Sequence, residues 1–478
     1  MTTSGNSLAR ERILSLLDQG SFVEIGAAVT ARSTDFSLSE KKEVSDGVIT
    51  GYGHIGDRAV YVYSQDSCVL GGSIGEMHAK KISALYDLAM TTGDPVIGLI
   101  DCAGLRLEEG LDALEAFGAI WRAQTEASGV IPQISAIFGM CGGSMAMLPS
   151  LSDFTFIEKD KGRLFFQSPN AIPGSSEESC DTSSAQFRSR VAGSADLIGN
   201  TEEIVAGIRS LVALLPSNCE GSLYDPQAAG DLNRIDGDLA RCIDDPALIL
   251  ARICDGGIFF ESRPEYGRDM VTALTRIGGY TAGVIANRTA LIGEDGSCTE
   301  AFDGRISADG AHKAERFAVF CDAYSIPVVT LTNAQGFAVA KEEECRLADE
   351  AARLAIAFAA TKSPKINMVT GTAYGSAYLI MNSRALGADL VFAWKDARIG
   401  MIEGRQAARV LVPGGSAEEV EEAARAYDEK QGSSASAAAR GYVDALIEPS
   451  ETRKYLIGAL DMLSTKRELP PRRRHSSI

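Results

Sequence analysis

Basic residues, histidine and long apolar runs are what this 478-residue chain has least of. Lys plus Arg total 46 against 64 Asp plus Glu, a formal net charge of −18. That balance disfavours a broad nucleic-acid or anionic-membrane surface, while leaving room for a local basic pocket. Only four histidines occur, His54, His78, His312 and His475, and ten cysteines are scattered without a CxxC pair. No zinc site, other metal centre or disulfide frame follows from such spacing, and reduced thiols in a cytoplasmic protein are expected. No stretch approaches the length of a membrane-spanning helix, and the opening MTTSGNSLARERILSLLDQGSF sets its arginines inside an amphipathic pattern. Neither a membrane span nor a signal peptide is expected. With 45% hydrophobic and 23% charged residues, the chain reads as globular, long enough for two or three domains.

What is present is an internal repeat. Pro95-VIGLIDCAG-Leu105 aligns with Pro327-VVTLTNAQG-Phe337, and Pro132-QISAIFGMCGGS aligns with Pro364-KINMVTGTAYGS. The pairs Pro95/Pro327, Gly104/Gly336, Pro132/Pro364, Gly139/Gly371 and Gly143/Gly375 are all 232 positions apart, so the register holds without a gap. Looser echoes flank it: SFVEIG near 21 with IFFESR near 258, and VITGYGHIGDRAVYVY near 48 with MVTALTRIGGYTAGVI near 270. Two similar domains are expected, residues 1–225 and 226–478, joined within the turn-rich segment 215–238. Each half reads as a β-hairpin, a helix, a buried strand and a further strand-turn-helix, an α/β arrangement. AEEVEEAARAYDEKQ and ETRKYLIGALDMLSTK predict C-terminal helices.

Two glycine turns follow β-rich runs and precede helix-like stretches, Gly139-MCGGS and Gly371-TAYGS. A turn entering a helix aims unpaired N–H groups outward, with the positive helix end behind them. Each is preceded by another glycine turn, Asp101-CAGLRLEEG or Asn333-AQGFAVAKEEE. One donor from each turn makes a two-point oxyanion hole, and duplication makes two holes. Two stabilised oxyanions suit a reaction between two carbonyl-derived partners. Close packing of strand on helix is the structural alternative.

Other signals weigh less. Gly51-YGHIG fits G-x-G-x-x-G but lies between β-rich runs, which predicts a hairpin and no dinucleotide site. His78 and His312 fall near predicted helix starts and read as surface or capping histidines. Glu342-Glu343-Glu344 reads as a solvated first helical turn. Gly139-Met-Cys141-Gly-Gly143 fits a cysteine nucleophile elbow, with only His312 or His475 placed to follow as base. Its counterpart in the repeat is Ala373, which favours a packing cysteine.

The segments SDGVITGYGHIGDRAVYVYSQDSCVLGGSIGEMHAKKI, GVIPQISAIFGMCGGS, LSDFTFIEKD, AERFAVFCDAYSIPVVTLTNAQGF, AYGSAYLIM and IEPSETRKYLIGALDML resemble the biotin-dependent acyl-CoA carboxyltransferases. That family includes propionyl-CoA carboxylase β subunits, the transcarboxylase large subunit and glutaconyl-CoA decarboxylase α subunits. The resemblance runs from about residue 8 to the PPRRRH tail. It implies two crotonase-superfamily (ClpP/crotonase-like) β/α domains, a homohexamer, and active sites shared between the N-terminal domain of one subunit and the C-terminal domain of another. It places the acyl-CoA thioester oxygen on Gly143 and Ser144, and the ureido oxygen of biotin on Ser376 and Ala377 beside Gly375. Gly104, Leu105 and Arg106 resemble the CoA-side turn, and Gln335, Gly336 and Phe337 the biotin-side turn. Leu379 resembles a position that sets acyl-chain length, where leucine predicts a short apolar acyl group.

The family usually carries glycine where this chain has Ser144 and Ser376. Biotin would act as the base, so the scarcity of histidine is no obstacle. No lysine between two methionines marks a biotin attachment site and no Walker A loop is present, so the biotin carboxyl carrier protein and any biotin carboxylase or decarboxylase subunits are expected to be partners on other chains. The direction, carboxylation or decarboxylation, stays open. A Cys141 thioester hydrolase and an inactive scaffold remain as competing readings.

Overall fold

The computed structural model describes residues 7–32, 45–293 and 295–468. They form two compact units, Met1–Ser222 and Leu223–Ile478.

Unit 1 begins with α1 (Leu8–Leu16), capped by the Ser7 hydroxyl, and a short strand β1 (Val23–Ile25). The hairpin β2 (Val48–Ile55) and β3 (Arg58–Gln65) holds the GYGHIG segment, as its β-rich flanks require. Next come α2 (Glu76–Thr92), β4 (Val96–Cys102), α3 (Gly110–Ala127) and β5 (Gln133–Gly142). The unit ends with α4 (Met147–Leu151), β6 (Phe154–Glu158), β7 (Arg163–Phe165), α5 (Ala185–Arg190), β8 (Leu197–Gly199) and α6 (Thr201–Leu214). The sheet order is β1-β2-β3-β4-β5-β6-β8, with β7 paired to the end of β5. From β3 onward the pairing is parallel, and β4 is buried almost throughout, which is why its sequence is a run of apolar residues without alternation. The helices α2 and α3 cover that run with Ile82, Leu85, Tyr86, Phe117 and Ile120, all in one apolar core.

Unit 2 repeats the plan. It opens with α7 (Pro246–Ile253), β9 (Phe259–Ser262) and the hairpin β10 (Met270–Ile277) and β11 (Tyr280–Asn287). A small hairpin of β12 (Ala290–Ile292) and β13 (Cys298–Ala301) is followed by β14 (Arg305–Ile306), α8 (Ala308–Ala323), β15 (Val328–Ala334) and β16 (Gly336–Phe337). Then follow α9 (Lys341–Glu344), α10 (Leu347–Ala360), β17 (Lys365–Tyr374), α11 (Gly375–Ile380), β18 (Leu390–Trp394) and β19 (Arg398–Gly400). The chain closes with α12 (Gly404–Leu411), α13 (Ala417–Gln431), α14 (Ser434–Ala439), β20 (Ala445–Ile447) and α15 (Thr452–Leu463). Sheet order β9-β10-β11-β15-β17-β18-β20, with β19 on the end of β17, matches unit 1 strand for strand.

The repeat extends to groups outside the glycine turns. Lys81 and Lys313, again 232 positions apart, are both buried on the first helix of the motif. Lys81 Nζ donates to Val48 O at 2.5 Å, and Lys313 Nζ to Tyr266 O and Met270 O at 3.1 and 2.8 Å. Each lysine thus ties its helix to the start of the hairpin. Burial lowers both pKa values, that of Lys313 to about 8. Glu343 is more than a solvated residue: its carboxylate accepts the N–H of Ala308 at 2.6 Å, just as Glu109 accepts that of Glu76, so each carboxylate caps a helix N-terminus.

Candidate functional site

Both candidate sites grow from the same kind of irregularity, one in each sheet. Strands β4 and β5 pair in register from Val96↔Gln133 to Ile100↔Ile137, slip, and resume at Cys102↔Cys141. Strands β15 and β17 do the same from Val328↔Lys365 to Thr332↔Val369, resuming at Ala334↔Ala373. The bulge brings Gly139 against Asp101 and Gly371 against Asn333. A Cβ there would lie 2.1 Å from Asp101 Oδ1 or 2.4 Å from Asn333 Oδ1, so close approach selects these two glycines.

Beyond the bulge the chain turns at Gly143 (φ +62°) and Gly375 (φ +59°). Nothing lies within 4 Å of a Cβ built on Gly143, so there the backbone angle selects glycine. Ser144 and Ser376 are not among the positive-φ residues. Serine in place of the family's glycine therefore adds no backbone strain and keeps its N–H. These residues open the short helical turn Gly143–Ala146 and α11, where N–H groups have no carbonyl one turn behind them.

In unit 1 a cavity of about 370 Å³ is lined by Cys102, Ala103, Gly104 and Leu105 from the first turn and by Gly142, Gly143, Ser144 and Met145 from the second, with Met140 and Phe165 beside them. The two turns expected to cooperate do meet. The Gly104 N–H is directed at Cys102 Sγ, 3.3 Å away. Arg106 stands apart: its guanidinium, 2% exposed, pairs with Asp46 at 2.8 Å and Glu109 at 2.6 Å and donates to Ser73 O. Only the backbone of Arg106 takes part in the turn, through its N–H to Ile74 O.

In unit 2 a cavity of about 600 Å³ brings Gln335, Gly336 and Phe337 to Gly375, Ser376 and Ala377. The Gln335 N–H is spent on Gly304 O at 2.7 Å. The cavity is also lined by α12 and α13 through Arg405, Gln406, Glu421, Arg425 and Asp428, and by Arg305, Tyr374 and Arg398. Arg398 pairs with Asp428 at 3.2 Å and Arg405 with Glu421 at 3.1 Å. The α13 helix was legible in sequence, but its place over the turn was not, since periodicity reports a helix face and not what it covers. Leu379 is 43% exposed and does not line this cavity.

The surroundings of Cys141 oppose a nucleophilic role, and it does not line the cavity. Its thiol is fully buried, held near Met145 O at 3.5 Å, and burial pushes its pKa well above the ordinary thiol range. His475 lies outside the described residues. Iodoacetamide applied to the native protein is expected to label the exposed Cys68, Cys180, Cys298 and Cys345 and to spare Cys141. Cys141→Ala should keep turnover within about threefold, since only packing changes. Mass spectrometry of the labelled protein and the assay below check both.

Two matched glycine turns on a duplicated α/β frame, each opening into a cavity, make an arrangement able to stabilise oxyanions through backbone N–H groups. Residues 2–478 match the carboxyl transferase domain. The chain belongs to that family, the biotin-dependent acyl-CoA carboxyltransferases. It is 35% identical to the propionyl-CoA carboxylase beta chain of Roseobacter denitrificans over 490 residues, covering 99% of this chain and 94% of that one. It is also 35% identical to the methylmalonyl-CoA decarboxylase subunit alpha of Veillonella parvula, with 99% and 93% covered. A transcarboxylase 12S structure, described as a hexamer with hydrolysed methylmalonyl-coenzyme A bound, superposes with a TM-score of 0.90 at 32% identity, covering 98% and 92%. Both units thus have the expected crotonase-like fold. Among the described residues no helix is long and apolar enough to cross a membrane.

Proposed function

We propose that this chain moves a carboxyl group between biotin on a separate carrier and the α-carbon of a short acyl-CoA of the propionyl/methylmalonyl type, with unit 1 holding the thioester and unit 2 the biotin. One observation supports it above the rest: the same bulge, glycine turn and cavity occur twice, one for each oxygen that gains charge. The unit 2 cavity is of the size of small-molecule sites and is bordered by the turn residues Gly375, Ser376 and Ala377, which suits a small ring with an acceptor oxygen. When bound, biotin supplies the nitrogen that exchanges the carboxyl group for the α-proton. The chain's own part is to donate N–H groups from Gly143 and Ser144 to the thioester oxygen and from Ser376 and Ala377 to the ureido oxygen. Each donor lost would cost about 3–4 kcal/mol of barrier. Gly104, Leu105, Gln335, Gly336 and Phe337 shape the two mouths, and Arg106 holds its turn from beneath. Leu379, exposed in the single chain, would face the acyl group only once subunits assemble into a homohexamer that pairs unit 1 of one subunit with unit 2 of another.

Purified protein with free biotin and a panel of malonyl-type CoA thioesters provides the test. Methylmalonyl-CoA should lose its carboxyl group only when biotin is present, and faster than long-chain analogues. A methylene in such a pocket is worth about 1–3 kcal/mol, so the preference should be graded. Biotin-independent loss, or a clear preference for a long or charged acyl group, would refute the reading.

A further inference from the structure

Beneath the first turn of unit 1 lies a buried polar chain that the proposed chemistry leaves unused. His78, on α2, is fully buried and not the surface or capping residue expected of it. Its Nδ1 lies 3.1 Å from Asp46 O, a pure acceptor, so Nδ1 carries the proton. Its Nε2 lies 3.2 Å from Gln65 Nε2 and must accept that amide hydrogen. With its amide so oriented, Gln65 Oε1 faces the Asp101 N–H at 3.3 Å and accepts it. On the other arm Asp46 Oδ1 accepts from Arg106 Nη1 at 2.8 Å. Asp101 and Arg106 are the two ends of the turn that carries Gly104 and Leu105, and both arms converge on one imidazole.

We infer that His78 is a positioning residue for the acyl-side turn, acting through Gln65 on Asp101 and through Asp46 on Arg106. The inference rests on the reading that unit 1 holds the acyl thioester. The Asp46 carbonyl can only accept and the Asp101 N–H can only donate, so with His78 neutral these two ends fix its tautomer and the orientation of the Gln65 amide. A second proton on His78 would set two donors face to face and turn the Gln65 oxygen away from Asp101. Burial opposes that proton, holding the imidazole near pKa 3 and hence neutral. Unit 2 supplies a contrast. Asn287 there takes the place of Gln65 and accepts the Asn333 N–H at 3.1 Å, but the amide nitrogen of Asn287 faces the sulfur atoms of Met270 and Met381 and no imidazole. The biotin-side turn is held without a histidine, so removing His78 should affect one side of the reaction alone.

His78→Asn keeps a donor for Asp46 O and loses the Gln65 arm, whereas Gln65→Met removes the acceptor for Asp101. In each variant kcat with acyl-CoA should fall on the order of ten- to a hundredfold, the effect of misplacing a reacting group by a fraction of an ångström to one ångström. Affinity for free CoA, which has no thioester oxygen, and CO2 release from N-carboxybiotin without acyl-CoA should stay within about twofold. An unchanged kcat would overturn the assignment, as would a parallel fall in CO2 release. Failure of both variants to fold would mark the chain as a folding element and equally overturn it. If the wild-type protein itself fails to transfer carboxyl from any acyl-CoA, the functional reading fails first and takes this inference with it.

Discussion

Replacing Gly375 with proline is expected to lower carboxyl transfer by a hundredfold or more, while Ser376→Ala keeps most of it. Proline holds φ near −65° and has no N–H, whereas Gly375 sits at φ +59° at the mouth of α11. The turn must re-form in another shape, and the N–H groups of Ser376 and Ala377 lose their aim. Removing one such donor costs about two to three orders of magnitude in kcat. Alanine at Ser376 keeps the backbone donor and similar backbone angles, so only the hydroxyl is tested. Gly143→Pro should do the same on the acyl side. Steady-state kinetics with biotin and methylmalonyl-CoA decide it: a thousandfold loss in Ser376→Ala or Ser144→Ala, with folding intact, would identify a side-chain nucleophile. Mixing the two proline variants under demonstrated subunit exchange should restore part of the activity if sites are shared between subunits, and no recovery would argue against sharing.

The repeat carried much of this into the sequence. The constant spacing of 232 from Pro95 to Gly143 has a counterpart in the structure, where the strand pairing slips at equivalent places, before Cys102↔Cys141 in unit 1 and before Ala334↔Ala373 in unit 2. The turn glycines were legible from the same spacing. Side-chain destinations were not. Arg106 sits two residues from Gly104 and reads as part of the ligand turn, yet its partner Asp46 is 60 positions away and nothing local announces it. His78 lies at a helix start, where capping is the local expectation; that its face of α2 meets Gln65 and Asp46 is a tertiary fact. Lys81 and Lys313 were 232 apart and so detectable in principle, but a lysine in an amphipathic helix is ordinarily solvated. The α12 and α13 helices were anticipated only in part, and no pattern in them says that they reach over Gly375.

Arg106→Met is expected to destabilise unit 1 by about 3–5 kcal/mol, because it leaves the Asp46 and Glu109 carboxylates buried without their cation. For a domain of this size each kcal/mol moves the midpoint by about 2–4 °C, so the loss should read as about 10 °C in a thermal melt. The guanidinium is closed off from solvent and lies outside the cavity lining, so CoA affinity measured well below the melting range should change by less than about threefold. A side chain that held CoA phosphates would give the opposite pattern, an unchanged melt with weakened binding, and that result would return Arg106 to the ligand site. Charge and size can be separated in the same series. Adding Asp46→Asn and Glu109→Gln to Arg106→Met removes the uncompensated charges while Gln keeps an acceptor for the Glu76 N–H. Buried ion networks replaced as a whole are often no less stable than the originals. The triple variant should therefore melt above the single one, and a triple variant that melts lower still would show that the network stabilises the turn through its hydrogen-bond geometry and not through charge compensation.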